Sequence, residues 1–207
     1  NRGIHLAKNS TGTATITAPT IYFKGTGAGA NGSNFNDGVS LLGITLGNSQ
    51  TTNITLEGVA GAFGASTRAI NFQENVTIGN QSSSAAIQLL GNSFAYNNSV
   101  IATQGSVSIL STTNSFSGTC SNASLSITGS PSSITIGKPT NTASVTISNP
   151  LTAAGSITII GGLLNVGSVI TSSNTGDITM KSNVTNSGAT SSLFTNCLLY
   201  TSDAADE

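Results

Sequence analysis

Apolar and polar positions alternate along the chain in short bursts: an aliphatic residue, a hydroxyl, a second aliphatic. The unit recurs nine times, as Ile44-Thr45-Leu46, Ile54-Thr55-Leu56, Val76-Thr77-Ile78, Val107-Ser108-Ile109, Leu125-Ser126-Ile127, Ile134-Thr135-Ile136, Val145-Thr146-Ile147, Ile157-Thr158-Ile159 and Ile178-Thr179-Met180. In an extended strand this spacing puts both aliphatics on one face and the hydroxyl on the other, so each unit predicts a strand buried on one side. Gly47-Asn48-Ser49, Gly79-Asn80, Gly129-Ser130-Pro131 and Asn149-Pro150 punctuate the units with residues that accept left-handed and turn conformations cheaply. Strands of about three to five residues joined by tight corners are expected.

Successive units start at positions 44, 54, 76, 107, 125, 134, 145, 157 and 178, and most of these separations lie close to multiples of ten or eleven. Phe72, Phe94 and Phe116 repeat at 22, the last two within the same tripeptide, Asn92-Ser93-Phe94 and Asn114-Ser115-Phe116. Equal phase over one period is the mark of a solenoid, in which coils about 4.8 Å apart bring residues one period apart into contact. The expectation is an all-β parallel β-helix of about nine coils of about 20–22 residues, a rod of about 45 Å, with the three Phe rings superimposed. An antiparallel sandwich would also show short alternating strands but would seldom hold one phase over so long a period.

Composition agrees. Among 207 residues, 32 Ser, 30 Thr, 22 Asn and 24 Gly make up just over half, and only 13 side chains are charged. Weak helix formers at this density exclude a helical bundle or coiled coil. Frequent Ile, Val and Thr with 4 Pro and little charge exclude disorder. Like residues face one another along a parallel stack, where like charges would repel, so neutral Asn, Ser and Thr suit it, and Asn can extend amide ladders. No apolar run approaches a membrane span. The bases Arg2, Lys8, Lys24, Arg68, Lys138 and Lys181 are dispersed, which leaves no nucleic-acid footprint.

Residues 197–207, Cys-Leu-Leu-Tyr-Thr-Ser-Asp-Ala-Ala-Asp-Glu, break the pattern and resemble a translated sequencing adapter. They are expected to be foreign, leaving residues 1–196 as one repeat segment with six bases, four acids and one cysteine, Cys120, read as a small buried side chain. With no starting Met or signal peptide before Asn1, the segment is expected to come from a larger protein.

The Gly-rich stretch Gly25-Thr26-Gly27-Ala28-Gly29-Ala30-Asn31-Gly32-Ser33-Asn34-Phe35-Asn36-Asp37-Gly38-Val39, followed by Gly43-Ile44-Thr45-Leu46, the strands Gly155 to Ile159 and Gly176 to Met180, and the Asn/Ser/Thr-rich turns resemble the filamentous-haemagglutinin-like exoproteins over residues 1–196. These are large bacterial adhesins exported by two-partner secretion. The resemblance implies a right-handed parallel β-helix from the repeat region of a secreted adhesin on the outer cell surface. It also implies an outer-membrane secretion partner and host-cell or matrix glycans or proteins as ligands. It carries over no catalytic, cofactor-binding or metal-binding residues, and none is expected.

Sharper chemistries have specific carriers. Gly27-x-Gly29-x-x-Gly32 follows Ile21-Tyr22-Phe23 but precedes turn-forming residues instead of a helix, so it reads as a long corner and not a dinucleotide site. Asp37, Glu57 and Glu74, spaced 20 and 17, could stack their carboxylates on one face and, near Arg68, cleave polysaccharide; the lone His5 lies far off in sequence. Asp37 alone in its Gly-rich loop falls short of a calcium site. Thr45, Thr55, Thr77, Thr135, Thr146, Thr158 and Thr179 could form an outward Thr face of the ice-binding kind, although Thr13-Ala-Thr15-Ile-Thr17 is the one run with the full spacing. Sequons at Asn9, Asn53, Asn75, Asn80, Asn97, Asn122 and Asn183 follow from composition. Tyr22, Phe63 or Tyr96 could meet sugar rings at corners, against the ordinary expectation of core packing. The expected role is a non-catalytic, multivalent adhesive stalk, with a polysaccharide-cleaving or ice-binding solenoid as alternatives.

Overall fold

The computed structural model describes residues 2–8, 12, 14–29, 35–62, 67–183 and, for the backbone, 194–195. Every strand pairs in parallel, and the described residues contain no helix. Seven coils wind in sequence. The first comprises β1 (Ile4–Ala7), β2 (Ala14–Ile16) and β3 (Thr20–Thr26), and the second β4 (Val39–Leu42), β5 (Ile44–Leu46) and β6 (Asn53–Val59). The third holds β7 (Ile70–Glu74), β8 (Thr77–Gly79) and β9 (Ala86–Leu90); the fourth β10 (Phe94–Tyr96), β11 (Ser99–Ala102) and β12 (Ser106–Leu110). The fifth contains β13 (Cys120–Ser121), β14 (Leu125–Thr128) and β15 (Ser133–Ile136); the sixth β16 (Val145–Ile147), β17 (Leu151–Ala153) and β18 (Ile157–Gly161). The seventh carries β19 (Leu164–Val166), β20 (Ile170–Ser172) and β21 (Ile178–Ser182), and β22 (Phe194–Thr195) pairs beyond it on β19.

The fold is therefore the expected parallel β-helix. One face is unbroken: sheet 3 runs β3-β6-β9-β12-β15-β18-β21. The other two are interrupted. On one, sheet 1 (β1-β4-β7-β10) gives way to sheet 4 (β13-β16-β19-β22); on the other, sheet 2 (β2-β5-β8-β11-β14) gives way to sheet 5 (β17-β20).

The winding is less uniform than expected. Facing positions on sheet 3 are Ile21, Ile54, Ile87, Val107, Ile134, Ile157 and Ile178, so the first two steps are much the longest and the step from Ile87 to Val107 is the shortest. Seven coils, not nine, fill the described residues, and the stack is about 30 Å high. The reason is coil length: six steps carry Ile21 to Ile178, 157 residues, so a coil averages about 26 residues instead of 20–22, and two hydroxyl-centred units can fall in one coil, as Ile44 to Leu46 on sheet 2 and Ile54 to Leu56 on sheet 3 do. Long corners before β4 and β7 add the rest.

The aliphatics do what their spacing requires. Ile21, Ile54, Ile87, Val107, Ile134 and Ile157 are all buried beneath sheet 3, and Leu56, Leu89, Ile109, Ile136 and Ile159 form a parallel buried row beside them. Each such side chain contributes about 1.5–3 kcal/mol of burial, so the dry column drives folding. The three Phe rings are not superimposed as expected. Strand register sets Phe94 opposite Ile70 and Tyr96 opposite Phe72. The rings form a zigzag cluster: Phe72 to Tyr96 at 5.5 Å, Tyr96 to Phe94 at 5.9 Å and Phe94 to Phe116 at 5.8 Å. The Phe repeat thus brings the rings together without stacking them, because the residue one full coil beyond Phe72 is Tyr96 and not Phe94.

Corners carry the polar order. Gly43, Asn75, Asn98 and Ser124 each occupy the left-handed region, with φ of 60°, 47°, 46° and 59°, at equivalent bends before β5, β8, β11 and β14. A single residue turns the chain there from one face to the next, and Gly and Asn adopt that conformation at least cost. Asn98 donates its side-chain amide to Asn75 Oδ1, one rung of the expected amide ladder. At the next corner buried hydroxyls tie coil to coil: Thr51 Oγ1 donates to the Ala18 carbonyl at 2.9 Å, Ser83 Oγ to Thr51 O at 2.6 Å and Thr103 Oγ1 to Ala85 O at 2.6 Å.

Candidate functional site

The longest regular surface is the outer side of sheet 3. Alternation that buries Ile54 and Leu56 turns Thr55 outward, and the register carries this through every coil: Tyr22, Thr55, Gln88, Ser108, Thr135, Thr158 and Thr179 face one another in one column. Neighbours in it are about 4.8 Å apart. Its members are hydroxyls, one amide and one phenol, so it offers donors and acceptors at fixed intervals and no net charge. Ser106 and Ser133 pair in the flanking column.

At the first coil this face ends in a charged cluster. Tyr22, 54% exposed, donates its hydroxyl to Glu57 Oε2 at 2.6 Å, and Lys24 Nζ lies 2.8 Å from Glu57 Oε1. The strand register that puts Lys24 opposite Glu57 creates the cluster. Bonds from Lys24 and then Tyr22 hold the Glu57 carboxyl below its ordinary range, and the same bonds to Glu57 push the Tyr22 phenol and the Lys24 amine up.

The three acids proposed from sequence do not share a face. Asp37 precedes β4 and is fully buried; it accepts hydrogen bonds from the Arg68 backbone N–H and Asn71 Nδ2, both at 2.9 Å. Arg2 Nε stands 3.5 Å from its Oδ2, an ion-pair contact without hydrogen-bond geometry. Glu74 closes the far end of β7, opposite Leu42 and bonded by Asn75 Nδ2 at 3.0 Å. Glu57 lies on sheet 3. Asp37 is thus a corner brace, and a carboxylate pair is not formed by these residues because their spacings of 20 and 17 fall well short of the local coil, which runs from Ile21 to Ile54 and on to Ile87. His5 lies on β1 with an exposed side chain, and the partial desolvation of its ring, followed by nearby Arg2, sets its imidazole pKa below the ordinary value.

Other sequence candidates separate similarly. Gly27 continues directly from β3 into irregular chain, while Gly32, Thr13, Asn9, Phe63 and residues 197–207 lie outside the described residues. Thr45 and Thr77 pair on the outer side of sheet 2 with Thr15, and Thr146 lies on sheet 4, so the predicted Thr set is split over three faces. Tyr96 is half-buried within the ring cluster, with its hydroxyl oxygen enclosed and without a hydrogen-bond partner; burial, then the neighbouring Cys120, pushes its phenol well up. Cys120 is buried, and burial pushes its thiol up to about 12, which leaves it a neutral packing residue. Among the described residues no group of three or more His, Cys, Asp or Glu could hold a metal, and no helix is long and apolar enough to cross a membrane.

Sequence reasoning missed Gln88 as a member of the outward column, since Ile87-Gln88-Leu89 lacks the hydroxyl that defined the unit. Aligning aliphatic pairs regardless of the residue between them would have found it. No protein-family model, curated protein or solved structure matches the chain.

Proposed function

We propose that this chain is a non-catalytic structural and adhesive segment of a large secreted bacterial surface protein, as its resemblance to filamentous-haemagglutinin-like exoproteins implies. The observation that supports this reading most is the unbroken outward column on sheet 3, which repeats neutral donors and acceptors over seven coils. A rigid repetitive face gains avidity from many weak contacts without any single deep pocket. Asp37 held within a corner and Glu57 held by Lys24 and Tyr22 agree with structural duties for the acids.

The test is retention of the purified chain on host cells, extracellular matrix and a glycan array, with parallel assays for new reducing or unsaturated ends. Retention that weakens stepwise when Thr135, Thr158 and Thr179 are replaced in turn by Ala, with no new ends, is the expected result. New ends, or retention indifferent to all three substitutions, would defeat the proposal. A second reading, ice binding, is favoured by the direct stacking of Thr135, Thr158 and Thr179, and measurable thermal hysteresis lost in the same variants would establish it.

A further inference from the structure

The one breach between sheets 1 and 4 contains a cleft of about 310 Å³, at the small end of the range that holds small organic ligands. It arises because β10 has no ladder partner in the next coil: the chain from Ser111 to Thr119 forms no strand before β13 resumes the face. Ser117 N–H still donates to the Asn92 carbonyl at 2.8 Å, which pins the outer wall to the coil below.

The lining has a specific chemistry. Arg68 supplies a guanidinium that takes part in neither of the two ion pairs among the described residues; its Nη1 donates to the Thr67 carbonyl at 2.9 Å, which fixes the group in place. Ser93, Ser117 and Thr119 add hydroxyls and Asn92 an amide. Asn92 Oδ1 accepts from Thr112 N at 3.0 Å, Thr112 Oγ1 at 2.9 Å and Thr113 N at 3.2 Å, so the amide is oriented in advance. Phe94, stacked on Tyr96 and set edge to face with Phe116, borders the cleft with its remaining apolar surface. A fixed guanidinium matches a carboxylate through paired N–H donors, neutral donors and acceptors match sugar hydroxyls, and apolar ring surface matches the C–H groups of a pyranose.

We infer that this cleft is a binding site for one carboxylate-bearing monosaccharide unit, a uronic acid or a similar acidic sugar, with Arg68 holding the carboxylate, the Ser, Thr and Asn side chains meeting the sugar hydroxyls and the exposed part of Phe94 packing against its C–H groups. The site rests on the adhesive reading only in that binding without turnover is expected. It lies on a different face from the sheet 3 column, so either can fail alone.

The experiment is an NMR titration of the full chain with glucuronate, galacturonate, their neutral parent hexoses and acetate, read at the amides of residues 117–120. Saturable shifts with the uronates, and at least about tenfold weaker binding of hexoses and acetate, are expected. Arg68→Gln removes the charge while keeping the backbone N–H that bonds Asp37, and should weaken uronate binding about tenfold to a hundredfold; Arg68→Lys should fall between. Gly118→Phe fills the mouth where an added Cβ meets nothing within 4 Å, and should abolish the shifts without altering stability. Equal binding of hexose or acetate, or undiminished uronate binding in both Arg68→Gln and Gly118→Phe, would overturn the assignment. Surface adhesion that persists in these variants leaves the sheet 3 proposal standing, and loss of adhesion only in the Thr variants separates the two.

Discussion

Removing the Asn141 side chain should loosen the corner that joins the link before β13 to the coils above it. Asn141 is fully buried, and its amide is bonded at both ends. Its Oδ1 accepts from Ser115 Oγ at 2.8 Å and from the Phe116 and Ala143 N–H groups, both at 3.2 Å. Its Nδ2 donates to Ile160 O at 2.9 Å and Ala143 O at 3.3 Å. The side chain therefore joins the link after β12, the corner before β16 and the end of β18. Asn141→Ala loses bonds worth about 1 kcal/mol each net, and leaves Phe116 N–H and Ile160 O with a larger unpaired penalty. A loss of about 3–5 kcal/mol results, a large part of the roughly 5–15 kcal/mol that holds a domain together. Asn141→Asp keeps the acceptor but sets a carboxylate oxygen against two carbonyls. Burial raises the pKa of such a group above its unfolded value, so this variant should regain stability as pH falls and lose it as pH rises. Urea unfolding followed by far-ultraviolet circular dichroism at pH 4 and pH 7 reads both variants. A loss below about 1 kcal/mol in Asn141→Ala, or no gain at low pH in Asn141→Asp, would refute the bracing role.

Three further outcomes follow from the same geometry. An added Cβ at Gly58 would lie 1.8 Å from the Ala69 carbonyl oxygen, backbone that cannot yield without opening the corner, so Gly58→Ala should lower the urea midpoint markedly while Gly118→Ala leaves it unchanged. Tyr96→Phe deletes a buried hydroxyl that lacks a partner and keeps the ring contacts, so stability should hold or rise by up to about 1 kcal/mol; a clear loss would mean the hydroxyl is bonded. Cys120 keeps its proton in the folded chain up to about 12 against an ordinary 9.0, so the unfolded chain loses protons first and the stability held below pH 9 drains away as pH rises through that window. In a Cys197→Ser background, Cys120→Ala should flatten the alkaline slope of the unfolding free energy, which Tyr96, shifted in the same direction, otherwise shares.

The repeating aliphatic-hydroxyl-aliphatic unit determined, by itself, that the chain forms one-sided strands, and its phase, low charge and turn-rich punctuation pointed to a parallel stack. Those are local properties: alternation fixes which side of a strand is apolar, and a residue such as Ile54 or Ile134 is buried wherever its strand goes. Register was decided only in three dimensions. Whether Tyr96 or Phe94 stands opposite Phe72 depends on corner lengths, and a small difference in one corner gave that place to Tyr96. The same accumulation of corner lengths separated Asp37 from Glu57, gathered Gln88 into the outward column, and drew Arg68 toward the distant Thr119. Residues such as Asn141, Thr51, Ser83 and Thr103 look like ordinary polar surface in a chain half made of Ser, Thr, Asn and Gly. Their inward orientation follows from the bend of the backbone at each corner, where carbonyls that leave the ladder must find donors, and a linear string of polar letters carries no record of which corner that will be.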